Sequence, residues 1–376
     1  MHHQEQTPVL FETLRTASGH AFGRATLNAP ANLNALSLAM VDLLDPQLAQ
    51  WAADPEIAGV VLDAVGDKAF CAGGDVVGLY HAIRARPPGA FPAEAATFFE
   101  HEYRLDYRIH RYPKPLLCWG HGIVMGGGIG LFAGASHRVV TPRTRMAMPE
   151  IGIGLYPDVG GSWVLPRLPG RAGVFLALTG ASLNAADARF AGLADAVLPH
   201  ERHAALLEAI AAAAWQGERE TDAARLSQLL DVLGRGVELP PSPLRTQAGR
   251  IEALIGDDRV EDLAPRLVDL ASDDDPWLAQ AGQAFAKGSP TSAALGFEMQ
   301  RRARGLPLAD VFRLEWQASV GCCMHGDFAE GVRALLVDKD RNPRWHPATL
   351  AEVTPALIEA HLQPHFTGVH PLADLA

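Results

Sequence analysis

Between residues 59 and 135 the chain twice runs from an apolar stretch into a knot of glycines and then into a segment with helical spacing. The first passage is GVVLDAV (59–65), CAGGD (71–75) and a stretch in which Val76, Leu79, Tyr80 and Ile83 recur at i, i+3, i+4 and i+7. The second is LLCWGHGIV (116–124), MGGGIG (125–130) and IGLFAGA (129–135). Strands that alternate with helices and turn on glycine predict an α/β fold with parallel pairing, and they argue against an all-helical or sandwich core.

The flanking segments extend this reading. VLFETLR and AFGRATLN, parted by the turn signal Ser18-Gly19, read as a hairpin within residues 8–27. Met40, Leu43, Leu44 and Leu48 then recur at helical spacing, and HRVVT (137–141) is a further strand-like run. The segment 146–166, MAMPEIGIGLYPDVGGSWVLP, carries so much glycine and proline that it reads as a folded loop. Near residue 200 the texture changes. ERHAALLEAIAAAAWQ is helical, residues 237–243 form a proline-rich connector, and the remainder is mostly amphipathic helix. The organisation expected is a core over 8–200 and a mainly helical region, 201–376, packing on that core.

Composition excludes several classes. The formal net charge of -11 opposes sequence-independent nucleic-acid binding, which needs a basic surface, so an anionic ligand requires a local basic patch. Four cysteines, with Cys322 and Cys323 adjacent, give neither a disulfide framework nor zinc-ligand spacing, and a reducing, cytoplasmic setting fits them best. The opening MHHQEQTPVLFETLR lacks the apolar run of a secretory leader. Residues 116–135 approach the length of a membrane span, but five glycines between Gly122 and Gly130 would weaken a continuous helix by about 1 kcal/mol each. A buried strand, a glycine turn and a buried helix account for the stretch better.

Glycine turns before helices have their own chemistry. The first amides of a helix lack intrahelical acceptors, and glycine lets a ligand oxygen approach them closely. If helix starts at Gly74 and Gly127 face one point, their amides can cradle an oxyanion; otherwise the glycines serve only tight turns or close packing. The glycines of MGGGIG do not make GxGxxG, and GxxxxGK[ST] is absent, so nucleotide cradles are weak alternatives and no redox cofactor or metal is expected.

AFCAGGDV (69–76), HGIVMGGGIGL (121–131) and AMPEIGIGLYPDVGGSWVLPRLPG (147–170) together resemble, in order and separation, the signatures of the crotonase (enoyl-CoA hydratase/isomerase) superfamily. The resemblance implies a crotonase-like spiral core of ββα units, with Gly74 and Gly127 as oxyanion-hole donors. Hydratases of the superfamily carry one catalytic glutamate three residues after the second donor and another in a Pro-Glu pair. Here Gly130 stands at the first position and Glu150 at the second, and Asp158 replaces a glycine typical of hydratases. That Glu/Asp pairing, SPTS (289–292) and HGDFAEGVRALLVDKDRNPRWHP (325–347) are similar to the 3-hydroxyisobutyryl-CoA hydrolase branch, and the similarity is weakest over about 200–285.

The resemblance implies hydrolysis of a short branched 3-hydroxyacyl-CoA, as in valine breakdown. Glu150 acts as nucleophile or as general base, two routes the sequence does not separate, and Asp158 orients the substrate hydroxyl or assists proton transfer. Glu102, in FFEHEYRL, matches a substrate-binding glutamate of that branch; read by itself it is equally an exposed helix charge. Cys71 as nucleophile and His121 as base are weaker readings than a small buried residue and a structural histidine, and Lys68 is a candidate for a coenzyme A phosphate. Coenzyme A enters only as part of the substrate. The alternatives are an enoyl-CoA hydratase or isomerase and a noncatalytic CoA-binding protein; assembly into a homo-oligomer is left open.

Overall fold

The computed structural model describes residues 7–87, 89–256 and 259–376; residues 1–6, which open the leader argument, lie outside the described residues. The strands are β1 (Val9–Arg15), β2 (Ala21–Leu27), β3 (Ile57–Ala64), β4 (Ala69–Cys71), β5 (Leu116–Gly120), β6 (Ile123–Met125), β7 (His137–Val140), β8 (Arg145–Ala147), β9 (Leu183–Asn184) and β10 (Ala196–Val197). The first helices are α1 (Leu38–Ala53), α2 (Val76–Ala85), α3 (Ala93–His110) and α4 (Gly127–Ala133).

Strands form two sheets, in the orders β1-β2-β3-β5-β7-β10 and β4-β6-β8-β9. The β1-β2 hairpin is antiparallel and turns at Gly19, whose φ of 90° suits glycine. From β2 onward the larger sheet is parallel. Successive strands alternate between the sheets: β3 and β4 lead to α2, β5 and β6 lead to α4, and β7 leads to β8. These are the ββα units expected of the motifs. β2 and β3 are buried almost throughout, which explains why β3 reads as a nearly continuous apolar run. Gly59 is required opposite Phe22, because a Cβ there would lie 2.5 Å from the ring.

By compactness the chain falls into two units, Met1–Gly74, Arg108–Met146, Leu183–Ser242 and Asp75–Tyr107, Ala147–Ser182, Pro243–Ala376. In the first unit, Phe22, Val61, Leu117, Trp119 and Val139 form one buried cluster with Leu206, Ile210, Leu226 and Leu230 of the helices His203–Ala212 and Arg219–Leu233. In the second, helix Leu308–His325 meets α3 through Phe312, whose ring lies 5.8 Å from that of Tyr103, and Trp316 Nε1 donates to Ala96 O at 3.0 Å. The last strand ends at Val197 and every later element described is helical, so the change of texture near residue 200 marks where strands stop.

Two sequence expectations need correction. Segment 146–166 is not wholly irregular. It contains the end of β8, a 3₁₀ turn at Glu150–Ile153 and short helical turns at Gly161–Val164 and Leu165–Arg167; left-handed glycines delimit the first two, Gly154 ending the 3₁₀ turn and Gly160 preceding the next. Gly74 is not itself a helix start. Asp75 takes the N-cap of α2, its side chain accepting from Gly78 N at 3.0 Å, and leaves Gly74 one residue before the cap. Residues 116–135 form β5, β6 and α4, and among the described residues no helix is long and apolar enough to cross a membrane.

Candidate active site

The two glycine turns belong to the first unit. They lie side by side because the short strands preceding them, β4 and β6, pair in parallel, with Cys71 opposite Val124. Gly126 has φ 47° and opens α4, so Gly127 is the first residue of that helix and its amide has no acceptor within it. Gly128 must be glycine, since a Cβ there would sit 2.4 Å from Cys71 O, at the base of the other turn. That turn is held in its own right: Leu36 N donates to Gly73 O at 2.8 Å, and Leu36 bridges to Gly74 as an isolated parallel pair. Buried Asn34 ties it further, donating from Nδ2 to Val65 O and Ala69 O, each at 3.0 Å.

Two of the weaker candidates of this unit, Cys71 and His121, make structural contacts. Cys71 is buried with its thiol 3.5 Å from Gly73 O, where it supports the turn. His121 is buried with Nε2 2.7 Å from Gly66 O, and burial, reinforced by His200, holds its ring below the usual histidine range. Lys68 lines a cleft of ≈ 310 Å³ with Pro30, Leu33, Asn34 and Asp67.

The carboxylates belong to the second unit. Glu150 begins the 3₁₀ turn, which closes when Gly154, at φ 73°, hydrogen-bonds back to Glu150 O. A Cβ on Gly154 would meet Asp327 O at 2.2 Å, so this reversal too is reserved for glycine. Past it, Tyr103 OH donates to Asp158 Oδ2 at 2.6 Å and shares a 2.7 Å hydrogen bond with Ser319 Oγ. The fold-back expected from Gly and Pro between the two acids therefore occurs. Glu150 and Asp158 are 5% and 4% exposed and act on each other electrostatically. Glu102, 2% exposed on α3, joins them; the exposed-charge reading of that residue is incorrect, because its helix face is covered.

Each of these acids is displaced upward. Burial, then the charge of Asp158, holds the Glu150 carboxyl well above the ordinary range, and its Oε2 is buried without a hydrogen-bond partner among the described residues. Glu102 is raised by burial and then by Asp158, Glu315 and Glu150. Asp158 is pushed up to about 6 by burial, against which the Tyr103 hydrogen bond pulls down. A charged carboxylate out of water costs several kcal/mol, and proton uptake relieves that cost.

Several residues here went unsingled in the sequence. Asp106, one turn after Glu102 on α3, is fully buried with both carboxyl oxygens unpartnered among the described residues, and burial, then the charge of Glu102, raises it strongly. Glu315 and Ser319 lie one turn apart on helix Leu308–His325, and Tyr156 OH donates to Glu315 O at 2.7 Å. The available signal was acidic or hydroxylic residues at i, i+4 inside apolar helical faces. Among the described residues no group of His, Cys, Asp and Glu is arranged to hold a metal ion.

A parallel αβ core built from ββα units, two adjoining glycine-amide turns and a buried acid cluster define a family. The family model for enoyl-CoA hydratase/isomerase matches residues 22–362, and the chain belongs to that family, the crotonases. Among curated relatives, the mitochondrial 3-hydroxyisobutyryl-CoA hydrolase of Danio rerio is 38% identical, covering 93% of this chain and 88% of its own. The human protein of the same name is 35% identical, covering 92% and 86%. Among solved structures, a carnitinyl-CoA dehydratase from Mycobacterium thermoresistibile superposes with a TM-score of 0.83 at 39% identity, covering 96% of this chain and 97% of its own. An enoyl-CoA hydratase from Rhodobacter sphaeroides gives 0.80 at 36%, covering 95% and 98%. The crotonase-like fold expected from the motifs is the fold observed.

Proposed function

We propose that this protein is an acyl-CoA thioester hydrolase whose substrate is a short branched 3-hydroxyacyl-CoA, 3-hydroxyisobutyryl-CoA before others. The observation that carries this reading is the carboxylate pair: Glu150, buried with one oxygen unpartnered, beside Asp158, which Tyr103 holds by a 2.6 Å hydrogen bond. It agrees with the name borne by the curated relatives. Hydrolysis makes two demands, a receptor for negative charge on the carbonyl oxygen and an attack on the carbonyl carbon. The amides of Gly74 and Gly127 in the first unit are assigned the first task, and backbone donors of this kind cost no reorganisation during reaction. Glu150 is assigned the second.

Two routes serve Glu150. As nucleophile it releases its proton, bonds to the carbonyl carbon, expels the coenzyme A thiolate and leaves an anhydride that water cleaves. As general base it takes a proton from water, which attacks directly. Label found in Glu150 after a single turnover in ¹⁸O-water establishes the anhydride route, because only an anhydride opened at the Glu150 carbonyl carbon places label there. Asp158 and Glu102 receive the substrate hydroxyl, and Lys68 a coenzyme A phosphate.

The hydratase reading draws on the names of the solved relatives. Hydration needs a water held over the β-carbon by two acidic side chains, and Gly130, within α4, supplies none. The test is direct: 3-hydroxyisobutyryl-CoA should release free thiol, and crotonyl-CoA should keep its enoyl absorbance. Loss of enoyl absorbance without thiol release assigns the chain to the hydratases; tight acyl-CoA binding without turnover assigns it to the noncatalytic binders. The four buried free thiols suit a reducing compartment such as the cytoplasm, although the relatives are named mitochondrial, and cell fractionation decides between these.

A further inference from the structure

Helix Leu308–His325 buries a face that is apolar except for Glu315 and Ser319, both 0% exposed. Among the described residues Glu315 has no basic partner. Its two oxygens instead accept one backbone amide each: Oε2 from Gly160 at 2.8 Å and Oε1 from Ser162 at 2.9 Å. Those amides belong to the turn that begins at Asp158, whose own carbonyl accepts from Gly161 N at 2.6 Å.

That turn is strained. Val159 has φ 50° and Gly160 φ 83°, two consecutive left-handed residues, the first of them β-branched and buried. Valine enters this region only when the surroundings over-determine it. The forked carboxylate of Glu315 supplies that constraint, since both its oxygens point at amides that only this turn geometry brings within reach of one side chain. From the same helix, Ser319 Oγ lies 2.7 Å from the Tyr103 hydroxyl that donates to Asp158, and 3.0 Å from Tyr156 OH. One helix thus holds the Asp158 region twice: Glu315 binds the backbone of the turn that follows Asp158, and Ser319 reaches the Asp158 side chain through Tyr103.

We infer that Glu315 is a positioning residue: by clamping the Val159–Gly160 turn it aims the Asp158 carboxylate at the 3-hydroxyl of the substrate. This rests on the hydrolase reading above. Glu315 does not touch substrate; it acts on selectivity through Asp158. Its replacement should therefore damage recognition of the hydroxyl more than thioester cleavage itself.

The experiment compares kcat/KM for 3-hydroxyisobutyryl-CoA and for isobutyryl-CoA, which lacks the hydroxyl, in wild type, Glu315→Gln, Asp158→Asn and the double variant. Glu315→Gln keeps the volume but turns an NH₂ group toward an amide N–H, releasing one anchor. The expected result is a fall of about 10²-fold for the hydroxylated substrate, the usual consequence of misplacing a group by about 1 Å, and a far smaller fall for isobutyryl-CoA. The double variant should lose little beyond Asp158→Asn alone, because both changes act through one carboxylate. Equal losses on both substrates, with the ratio intact, overturn the inference. Should Glu315→Gln not fold, Glu315→Asp keeps the carboxyl group on a shorter arm and faces the same comparison; failure of both to fold marks a purely structural residue and also overturns it. A wild type that does not prefer the hydroxylated substrate removes the hydrolase reading of Asp158 and this inference together. A preference lost in Asp158→Asn but retained in the Glu315 variants removes this inference alone.

Discussion

The two compact units bring opposite kinds of chemistry. The first offers backbone amides at Gly74 and Gly127, groups that carry no titratable charge and come into place once β4 and β6 pair. The second offers side-chain acids, Glu102, Asp106, Glu150, Asp158 and Glu315, all buried, and besides burial the strongest influences on most of them are other members of the cluster. The difference teaches where cost and control lie. The amide at a helix start, as at Gly127, is left over by the geometry of any helix, and like that of Gly74 it is indifferent to pH. Buried acids oppose folding whenever they ionise, so a cluster of five makes both activity and stability depend on protons.

That contrast can be broken in order of expected effect. Glu150→Gln, which preserves volume, should lower kcat by about 10²- to 10⁴-fold, measured as thiol release. Near-normal kcat would remove Glu150 from the mechanism. Gly128→Ala attacks the first unit instead: its Cβ would meet a backbone oxygen at 2.4 Å, parting α4 from the β4 turn. The expected loss is about 10²- to 10³-fold in kcat, equal for hydroxylated and unhydroxylated thioesters and unaltered by pH. A loss confined to hydroxylated substrate would contradict the division of labour between the units.

Asp158→Asn should cost about 10²-fold on 3-hydroxyisobutyryl-CoA. It should also reshape the pH profile. An acid that must be ionised to work gives a rate rising with pH through its pKa, so wild-type kcat/KM should climb near pH 6, where Asp158 titrates, and the variant should lack that limb. A profile superposable on wild type would show that the ionisation of Asp158 in the free enzyme does not govern the rate.

Asp106→Asn tests the cost of the acids without touching the proposed chemistry. A folded carboxyl raised above its unfolded value binds protons that the unfolded chain has already lost, so folding stability falls as pH rises from about 4 through the folded pKa. Removing this acid should leave stability near pH 4 almost unchanged and raise it by about 1–3 kcal/mol at pH 8, read from urea melts at both pH values. A variant less stable at pH 8 would show that Asp106 has a partner in solution. The smallest effect is expected of EDTA, which should leave turnover unaltered; loss restored by a divalent ion would require a metal at the site.

Much of this molecule was legible in order along the chain. Apolar runs ending in glycine mark β3, β4, β5 and β6, because strands buried on both faces read as continuous apolar stretches and the turns after them require the absence of a Cβ. Glu150 and Asp158 stood out by resemblance to the hydrolase motif, and the glycine and proline between them disfavour a continuous helix, so that the segment can fold back. Glu102 was nameable only by resemblance, since an acid on an amphipathic helix looks the same whether its face is covered or open.

What the sequence by itself determined, then, is whatever depends on neighbours within a few residues: the strand–turn–helix order, the amides at Gly127, and the fold-back that joins Glu150 to Asp158. What only the tertiary structure decided is everything that depends on contacts distant in the chain. Glu315 reaches Gly160 and Ser162 across 155 and 153 residues, and Ser319 reaches Tyr103 across 216. Asp106 is fully buried and feels the charges of Asp158 and Glu315, distant in the chain, and local spacing carries no record of that. The physical reason is that propensity and turn chemistry are local, whereas desolvation, and with it the protonation of every acid in the cluster, is set by what the rest of the chain places overhead.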